Sequence, residues 1–376
     1  MNLLFLANVN TAGEWLAQQN LIEYLNKENK KFKFYLISEE PINKKIVNNN
    51  LFEKIIYIKQ IKTNKPFKEY KKIFNFIFES YKSIKKIDRN YKINKVIISH
   101  YLFAIPYLFY SKKNNYIFWF HGIKNNYFIF KDTTNHYLIF LKILENLSLF
   151  LAKKIIIPTN YSYNLIKKLC FLFFKINKSK TIILNNLINK LFLKKQKNIR
   201  KKKLILYSGR LVFKKGVENL ILAFKKASII YKNWNLLIIY PKTKNEDEDK
   251  ILKKYKKCKN IIFKKDLSIN IIRKYYQQAK LAILPSYLEN DSLFLKEAIF
   301  MNLPIFSTKT GSALELLNNK FFLNDNKPFT IEKKITSFIN NQDYYNNEFV
   351  KIINNFKSNY KTKEIINKFI QIIYEN

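Results

Sequence analysis

Two cations and a turn of free amides stand together at one point of the sequence. The strand-like run Leu204–Ser208 passes straight into Gly209-Arg210-Leu211-Val212-Phe213-Lys214-Lys215-Gly216-Val217, and a helical period follows. A glycine turn, an Arg, a Lys five residues on and the unpaired N–H groups of a helix N-terminus are the parts of a diphosphate site. Arg210 can grip two phosphate oxygens as a fork, while Lys215 acts as a point charge. In a chain with 69 Lys and Arg a single lysine proves little, and the whole string carries the inference. A second pattern, Glu289-Asn-Asp-Ser-Leu-Phe-Leu-Lys-Glu297, follows the apolar run 281–285 and holds two carboxylates separated by seven residues. If Asp291 or Ser292 caps a helix there, Glu289 stays in the loop and Glu297 sits about one and a half turns into the helix. One carboxylate can then accept from sugar hydroxyls and the other from a ribose. Taken alone, the same spacing also fits two surface acids.

Three further residues end strand-like runs. His121 follows 116–120 and is itself followed by Gly122; it is either a site residue or a capping or core histidine. His100 closes 95–99 and can face an acceptor, whereas His136 reads as structural. Gly13 follows 3–7 and opens a helical stretch. The chain has five glycines in 376 residues, where average usage of about 7% would give roughly 26. They fall at Gly13, Gly122, Gly209, Gly216 and Gly311, all at strand ends or helix starts, where a positive φ or a close ligand is expected.

The elements that must position these residues alternate short apolar runs with longer amphipathic ones, the pattern of βαβ units on a parallel sheet. Strands are expected at 3–7, 32–38, 54–58, 95–99, 116–120, 155–158 and 181–184, with helices such as 14–26, 67–87 and 135–152 between them. The polar, basic and aperiodic stretch 193–203 reads as a linker. A second set of strands follows at 204–208, 234–240, 260–264, 281–285 and 304–307. The expected architecture is α/β: a Rossmann-like domain over 1–192, the linker, a second Rossmann-like domain over 204–343, and a helical tail over 344–376 that packs back across the lobes. Two doubly wound lobes would face each other across a cleft at the carboxyl ends of both sheets, where such folds bind ligands.

Composition narrows the class. With 48% hydrophobic and 16% aromatic residues, both domains have ample core material and disorder is excluded for most of the chain. The net charge of +42 would attract polyanions, but Lys, Asn, Ile, Phe and Tyr are abundant together while Gly and Pro are scarce, as A/T-rich codon drift would also produce. The basic residues are scattered along the chain, which argues against a nucleic-acid partner. Cys170 and Cys258 are too few and too far apart for a disulfide framework or metal cluster, and fit a reducing cytoplasm. The first residues lack a basic n-region, and the most apolar stretch, 137–157, is broken by Lys142, Glu145, Lys153 and Lys154, so neither a signal peptide nor a membrane span is expected. The Asp-x-Asp within Glu246-Asp247-Glu248-Asp249 opens a helical stretch, where a solvated, dipole-favoured N-terminus is expected in preference to a metal site.

The two motif strings together resemble the GT-B-fold retaining glycosyltransferases of group 1, or family 4. The resemblance runs through "LYSGRLVFKKGVENLILAF" and "LAILPSYLENDSLFLKEAIFMNLPIFSTKTGSALELL", and upstream through "FWFHGI", "AKKIIIPTNYS" and "IILNNLINKLF", so it spans most of residues 1 to 320. It implies that Gly209, Arg210 and Lys215 hold the donor diphosphate and that Glu297 holds the ribose. Glu289 would contact the transferred sugar, helped by the amides of Asn290, Asp291, Ser292 and Leu293. His121 would lie over the donor sugar as a catalytic residue, and Gly13 would let the first loop approach it. The implied enzyme moves a hexosyl group from a nucleotide-diphosphate sugar to a glycan or lipid-linked glycan acceptor, as in polysaccharide or lipopolysaccharide assembly, without a metal or cofactor. It would work in the cytoplasm, with an anionic membrane as a further partner for basic aromatic helices such as 67–91. An epimerase or hydrolase of the same shape, and a non-catalytic basic binding protein, remain as alternatives. The chain departs from the family at Tyr240-Pro241-Lys242 and Phe263-Lys264-Lys265-Asp266, where glycines are usual, and at Asn186 and Ile188, where Gly and Asp are common.

Overall fold

The computed structural model describes residues 1–11, 13–28, 31–59, 66–111, 115–122, 136–169, 177–194, 199–243 and 245–375. Its contacts divide it into two compact units, Met1–Asn186 with Ile365–Asn376, and Leu187–Glu364.

In the first unit the elements are β1 (Asn2–Ala7), α1 (Gly13–Glu28), β2 (Lys33–Glu39), β3 (Lys54–Ile58), α2 (Pro66–Tyr91), β4 (Lys95–Ile98), α3 (Ala104–Ser111), β5 (Tyr116–Trp119), α4 (His136–Phe150), β6 (Lys154–Ile157), α5 (Asn160–Leu169) and β7 (Thr181–Ile183). The seven strands are all parallel, in the order β3-β2-β1-β4-β5-β6-β7. Central strands such as β1, with Leu3 to Ala7 all buried, read as continuous apolar runs because helices cover both faces of such a sheet.

The second unit holds α6 (Lys190–Leu193), β8 (Leu204–Ser208), α7 (Val217–Ile230), β9 (Asn235–Tyr240), α8 (Glu246–Tyr255), β10 (Ile261–Lys265), α9 (Ile269–Gln278), β11 (Leu281–Leu284), α10 (Leu293–Phe300), β12 (Ile305–Thr308), α11 (Ala313–Leu316), β13 (Phe322–Leu323), α12 (Pro328–Asn340) and α13 (Gln342–Asn359). Its six parallel strands run β10-β9-β8-β11-β12-β13. Each sheet therefore reverses its winding once, between β1 and β4 and between β8 and β11. In open α/β sheets that switch point, outside the carboxyl ends of the strands, is where ligands bind.

Two boundaries differ from those expected. The division falls at Asn186 and Leu187, ahead of the 193–203 linker, because α6 is held by the second unit: Phe192 is buried with its ring 5.2 Å from Tyr276, and Arg273 donates to the Lys194 carbonyl (2.9 Å). Residues 195–198 of that linker lie outside the described residues. The tail over 344–376 is two helices with different cores. Tyr345, Phe349, Ile352, Ile353 and Phe356 recur at helical spacing on α13 and are buried in the second unit. The last helix, α14 (Thr362–Tyr374), buries Ile366, Phe369, Ile372 and Ile373, and its Phe369 and Tyr374 rings meet Trp119 (5.7 Å) and Phe32 (6.3 Å) of the first.

Candidate functional site

The second unit brings its two motifs together through strand order. Since β8 and β11 are neighbours, Lys215 after the one and Glu289 after the other meet, Nζ to Oε1, at 2.5 Å. Ser286 Oγ donates to the same carboxylate oxygen at 2.8 Å, and Glu289 is buried. Its amide donates to Thr310 Oγ1 (3.0 Å), tying the carboxylate loop to the segment after β12. Lys215 thus rests on one of the two carboxylates expected to face it.

Backbone geometry fixes both loops. Gly216 has φ +63, and a Cβ there would lie 2.1 Å from the Pro285 carbonyl oxygen. Gly311, at φ +58, packs against the backbone of Glu289 and Asn290 in the same way, with a Cβ only 2.7 Å from the Asn290 oxygen. Side chains are excluded at both positions by strain and by contact. Gly209 also sits close to a neighbour, the Tyr207 hydroxyl.

Arg210 is half-buried, and among the described residues its guanidinium has no hydrogen-bond or ion-pair partner. The Tyr207 hydroxyl donates to the Arg210 carbonyl (3.0 Å). Burial raises the Tyr207 phenol, Glu289 raises it further and Arg210 lowers it, so both charged groups lie within range of one hydroxyl. Glu297 lies on α10, whose N-cap is Ser292, its Oγ accepting from the Leu295 amide (3.3 Å). Tyr276 donates to Glu297 Oε2 at 2.6 Å. Enclosure by protein atoms pushes the Glu297 carboxyl up to about 7, with the Tyr276 bond pulling weakly the other way.

The remaining expected donor contacts are more constrained. The Ser292 amide is already given to Ser312 Oγ (3.0 Å), which removes it from the set of amides that could face a donor unless the loop shifts. Asp291 is paired with Lys296, Nζ to Oδ2 2.5 Å, with both side chains almost wholly buried. This pair was not legible in the sequence, where Lys296 was one lysine among many. Ser286, Thr310, Tyr207 and Tyr276 were likewise missed, since a hydroxyl partner leaves no spacing signal.

The acidic run opens α8 as expected, with Glu246 and Asp249 exposed, while its other two carboxylates are engaged. Asp247 accepts from the Phe213 amide (2.8 Å), anchoring the turn that carries Lys215, and buried Glu248 accepts from the Thr243 amide (2.8 Å). One glycine departure also has a physical reason: Asp266 itself takes a left-handed conformation, φ 51, and its Oδ1 accepts from the Lys242 amide (2.8 Å). Among the described residues no group of three or more His, Cys, Asp or Glu is placed to hold a metal, and no helix is long and apolar enough to cross a membrane.

In the first unit, the remaining candidates also sit at carboxyl ends of strands. His121, after β5, is buried, stacks on Trp119 (5.2 Å) and lies 3.2 Å from Gln18 Nε2 through its own Nε2. Gln18 belongs to α1, which Gly13 opens; a Cβ at Gly13 would meet nothing within 4 Å. His100, after β4, is buried, stacks on Tyr101 (5.0 Å) and meets Phe103 edge-on (6.3 Å), as an aromatic core member would.

Residues 189–357 match the family model of glycosyl transferases group 1. No curated protein matches the chain in sequence. Among solved structures, sucrose-phosphate synthase from Thermosynechococcus elongatus superposes with a TM-score of 0.77 at 13% identity, over 99% of this chain and 98% of that one. HepE of Anabaena, solved in complex with UDP-glucose, gives 0.74 at 12% identity, and WaaG, a glycosyltransferase involved in lipopolysaccharide biosynthesis, gives 0.71 at 13%, each over 100% of both chains. The two parallel sheets and these likenesses define the GT-B fold. Within it, residues 189–357 are similar to the glycosyl transferases group 1 family.

The raised Glu297 carboxyl sets a pH dependence. A carboxyl at about 7 in the fold and near 4.5 when unfolded binds more protons folded than unfolded between those values, so stability falls as pH rises through that window and the loss saturates above 7. The penalty is roughly 3 kcal/mol. Glu297→Gln is expected to raise the unfolding free energy of the unliganded protein by roughly 2–3 kcal/mol at pH 8.5, and the gain should shrink by more than half at pH 5. Urea melts of both proteins at the two pH values check this; a gain independent of pH would contradict the assignment.

Proposed function

We propose that the chain is a retaining glycosyltransferase that moves a sugar from a nucleotide-diphosphate sugar to a glycan or lipid-linked glycan acceptor. The observation that supports this best is the pairing of Lys215 with Glu289 at the switch point of the second sheet, with Arg210 and Glu289 both in electrostatic range of the Tyr207 hydroxyl. Arg210, whose guanidinium has no hydrogen-bond or ion-pair partner among the described residues, takes the diphosphate as a fork. Lys215 bridges that diphosphate and Glu289, and Glu289 accepts from hydroxyls of the transferred sugar. Glu297 is costly to ionise where it stands, and a ribose donating two hydroxyl hydrogen bonds would offset that cost. A carboxyl kept near 7 without ligand is therefore suited to ionise as the nucleotide arrives.

Cations and amide dipoles stabilise the charge that develops on the departing nucleotide diphosphate. The acceptor hydroxyl attacks from the face the leaving group occupies, which keeps the anomeric configuration, and the leaving phosphate takes its proton. His121 is proposed as a catalytic residue from the first unit. Gly13, whose missing Cβ no neighbour requires, leaves the N-terminus of α1 open to a ligand, and His100 is the acceptor-side candidate. WaaG's role in lipopolysaccharide biosynthesis supports a lipid-linked acceptor for this chain.

A peripheral membrane location rests on α2. Its buried face carries Ile73, Phe76, Ile84 and Ile87, while Phe74 and Phe78 are 65% and 56% exposed on the other side, with Lys71, Lys82 and Lys86 at helical spacing around them. Exposed rings within a basic helical face suit an anionic bilayer surface. Vesicles containing anionic lipid should sediment the protein in low salt, and Phe74→Ser/Phe78→Ser should reduce that severalfold; unchanged sedimentation would remove α2 from the account.

Arg210→Ala should lower sugar transfer by about a hundredfold or more, the cost of removing one charge-stabilising donor, while leaving the thermal midpoint unchanged. Assays with UDP-, GDP- and ADP-sugars, run with and without acceptor, check this. Near-normal transfer by Arg210→Ala would refute the diphosphate assignment, and donor consumption that needs no acceptor would turn the proposal toward a hydrolase or epimerase.

A further inference from the structure

The second sheet has a basic cavity at the end opposite its carboxyl loops. It occupies about 910 Å³ and is lined where β8 and β9 begin, at Leu204 and Asn235, and just before β11, at Lys280. A five-residue strand such as β8 spans roughly 16 Å, so the cavity and the Arg210 region lie at opposite ends of the same strand. Of its thirteen lining residues six are cations, Arg200, Lys201, Lys202, Lys203, Lys264 and Lys280, and none is Asp or Glu. The chain's overall share, 69 Lys and Arg in 376, would put two or three there. Codon drift alone therefore falls short of the observed density.

None of the six makes an ion pair among the described residues, whereas lysines elsewhere, such as Lys154, Lys254 and Lys320, do. The two best-placed ammoniums rest on neutral oxygens: Lys201 Nζ donates to the Ala279 carbonyl (2.8 Å) and Lys280 Nζ to Gln342 Oε1 (2.9 Å). Desolvation first, and Lys280 second, push the Lys201 ammonium down to about 8. Uncompensated like charges gathered in one concavity cost free energy that a bound anion would return. The floor is apolar: Leu237 and Ile262 pair in register across β9 and β10, and Tyr275 of α9 stands beside them. The volume suits a small molecule, since ligand sites commonly run to about 300–1,000 Å³.

We propose that this cavity binds a small molecule carrying clustered phosphates, at a site separate from the donor seat. The cations take the phosphates, and Leu237, Ile262 and Tyr275 take the body that carries them. Free polyphosphorylated compounds and polyphosphorylated lipid headgroups share this chemistry. The site holds whether or not the diphosphate is also bound by Arg210 and Lys215.

Calorimetric titration of the full chain with inorganic tripolyphosphate tests it, alongside sedimentation with vesicles containing a phosphatidylinositol bisphosphate. Lys201→Glu/Lys280→Glu should weaken tripolyphosphate binding about tenfold or more, with an unchanged thermal midpoint. Arg210→Ala/Lys215→Ala and the exposed pair Lys225→Glu/Lys226→Glu should leave this binding intact. At pH 8 binding should also take up protons, seen as a heat that depends on the buffer, and affinity should fall from pH 7 to 9 as Lys201 loses its charge. Vesicle sedimentation that depends on Lys201 and Lys280 without tripolyphosphate binding would place the phosphates on a lipid. Equal loss in the Lys225/Lys226 control would mean diffuse attraction to a +42 chain and overturn the site, as would loss only in the Arg210/Lys215 variant or no binding in either arm.

Discussion

A buried carboxylate must find a cation, and in the second unit the cation that Glu289 finds is Lys215, 74 residues earlier in the chain. The contact exists because β8 and β11 are adjacent across the point where the winding of the sheet reverses. Two loops that carry opposite charge are thereby pressed together at the carboxyl ends of the strands. On the proposed reading, a diphosphate arriving there would meet Arg210 and Lys215, and a sugar would meet a carboxylate oriented by Ser286. The energetic cost of preorganising the site is borne by the fold, before any ligand binds.

The loops hold that geometry through close backbone contact and hydrogen bonds with little slack. Gly216 against Pro285 and Gly311 against Asn290 leave no room for a Cβ, so the turn after β8, the loop after β11 and the segment after β12 are locked to one another. Asp247 anchors the same turn from α8, and Thr310 holds the Glu289 amide. The Asp291–Lys296 pair closes the carboxylate loop onto α10. Breaking a buried pair by removing one partner typically costs about 3–5 kcal/mol, whereas replacing both with apolar groups is often neutral. The pair thus fixes the shape of the loop more than it adds stability. Glu297 goes further, since its ionised form works against the fold at neutral pH.

Much of this was legible in the sequence because Arg210, Lys215, Glu289 and Glu297 stand at fixed distances from apolar runs that can only be strands. Strand ends, helix starts and the five surviving glycines are local features, and local features leave local patterns. What pairs with what is set by strand order, which no spacing records: the Lys215–Glu289 contact, the Tyr276 bond to Glu297 and the Asp247 bond to Phe213 all join segments at least 21 residues apart. The tail misled for a related reason. Its two helices have the same helical period, yet α13 packs in the core of the second unit and α14 on Trp119 of the first. The first domain was drawn to Phe192, just ahead of the basic stretch, yet Ile188 and Phe192 belong to the core of the second unit.

Hydrogen exchange of the full chain with and without UDP, GDP or ADP measures the central contact most directly. At least one of the three should slow amide exchange in 209–217 and in 286–297 together, because on this account the diphosphate rests on the first segment and the ribose on Glu297. Protection confined to other segments, or of only one of these loops, would contradict a shared seat at the ends of β8 and β11.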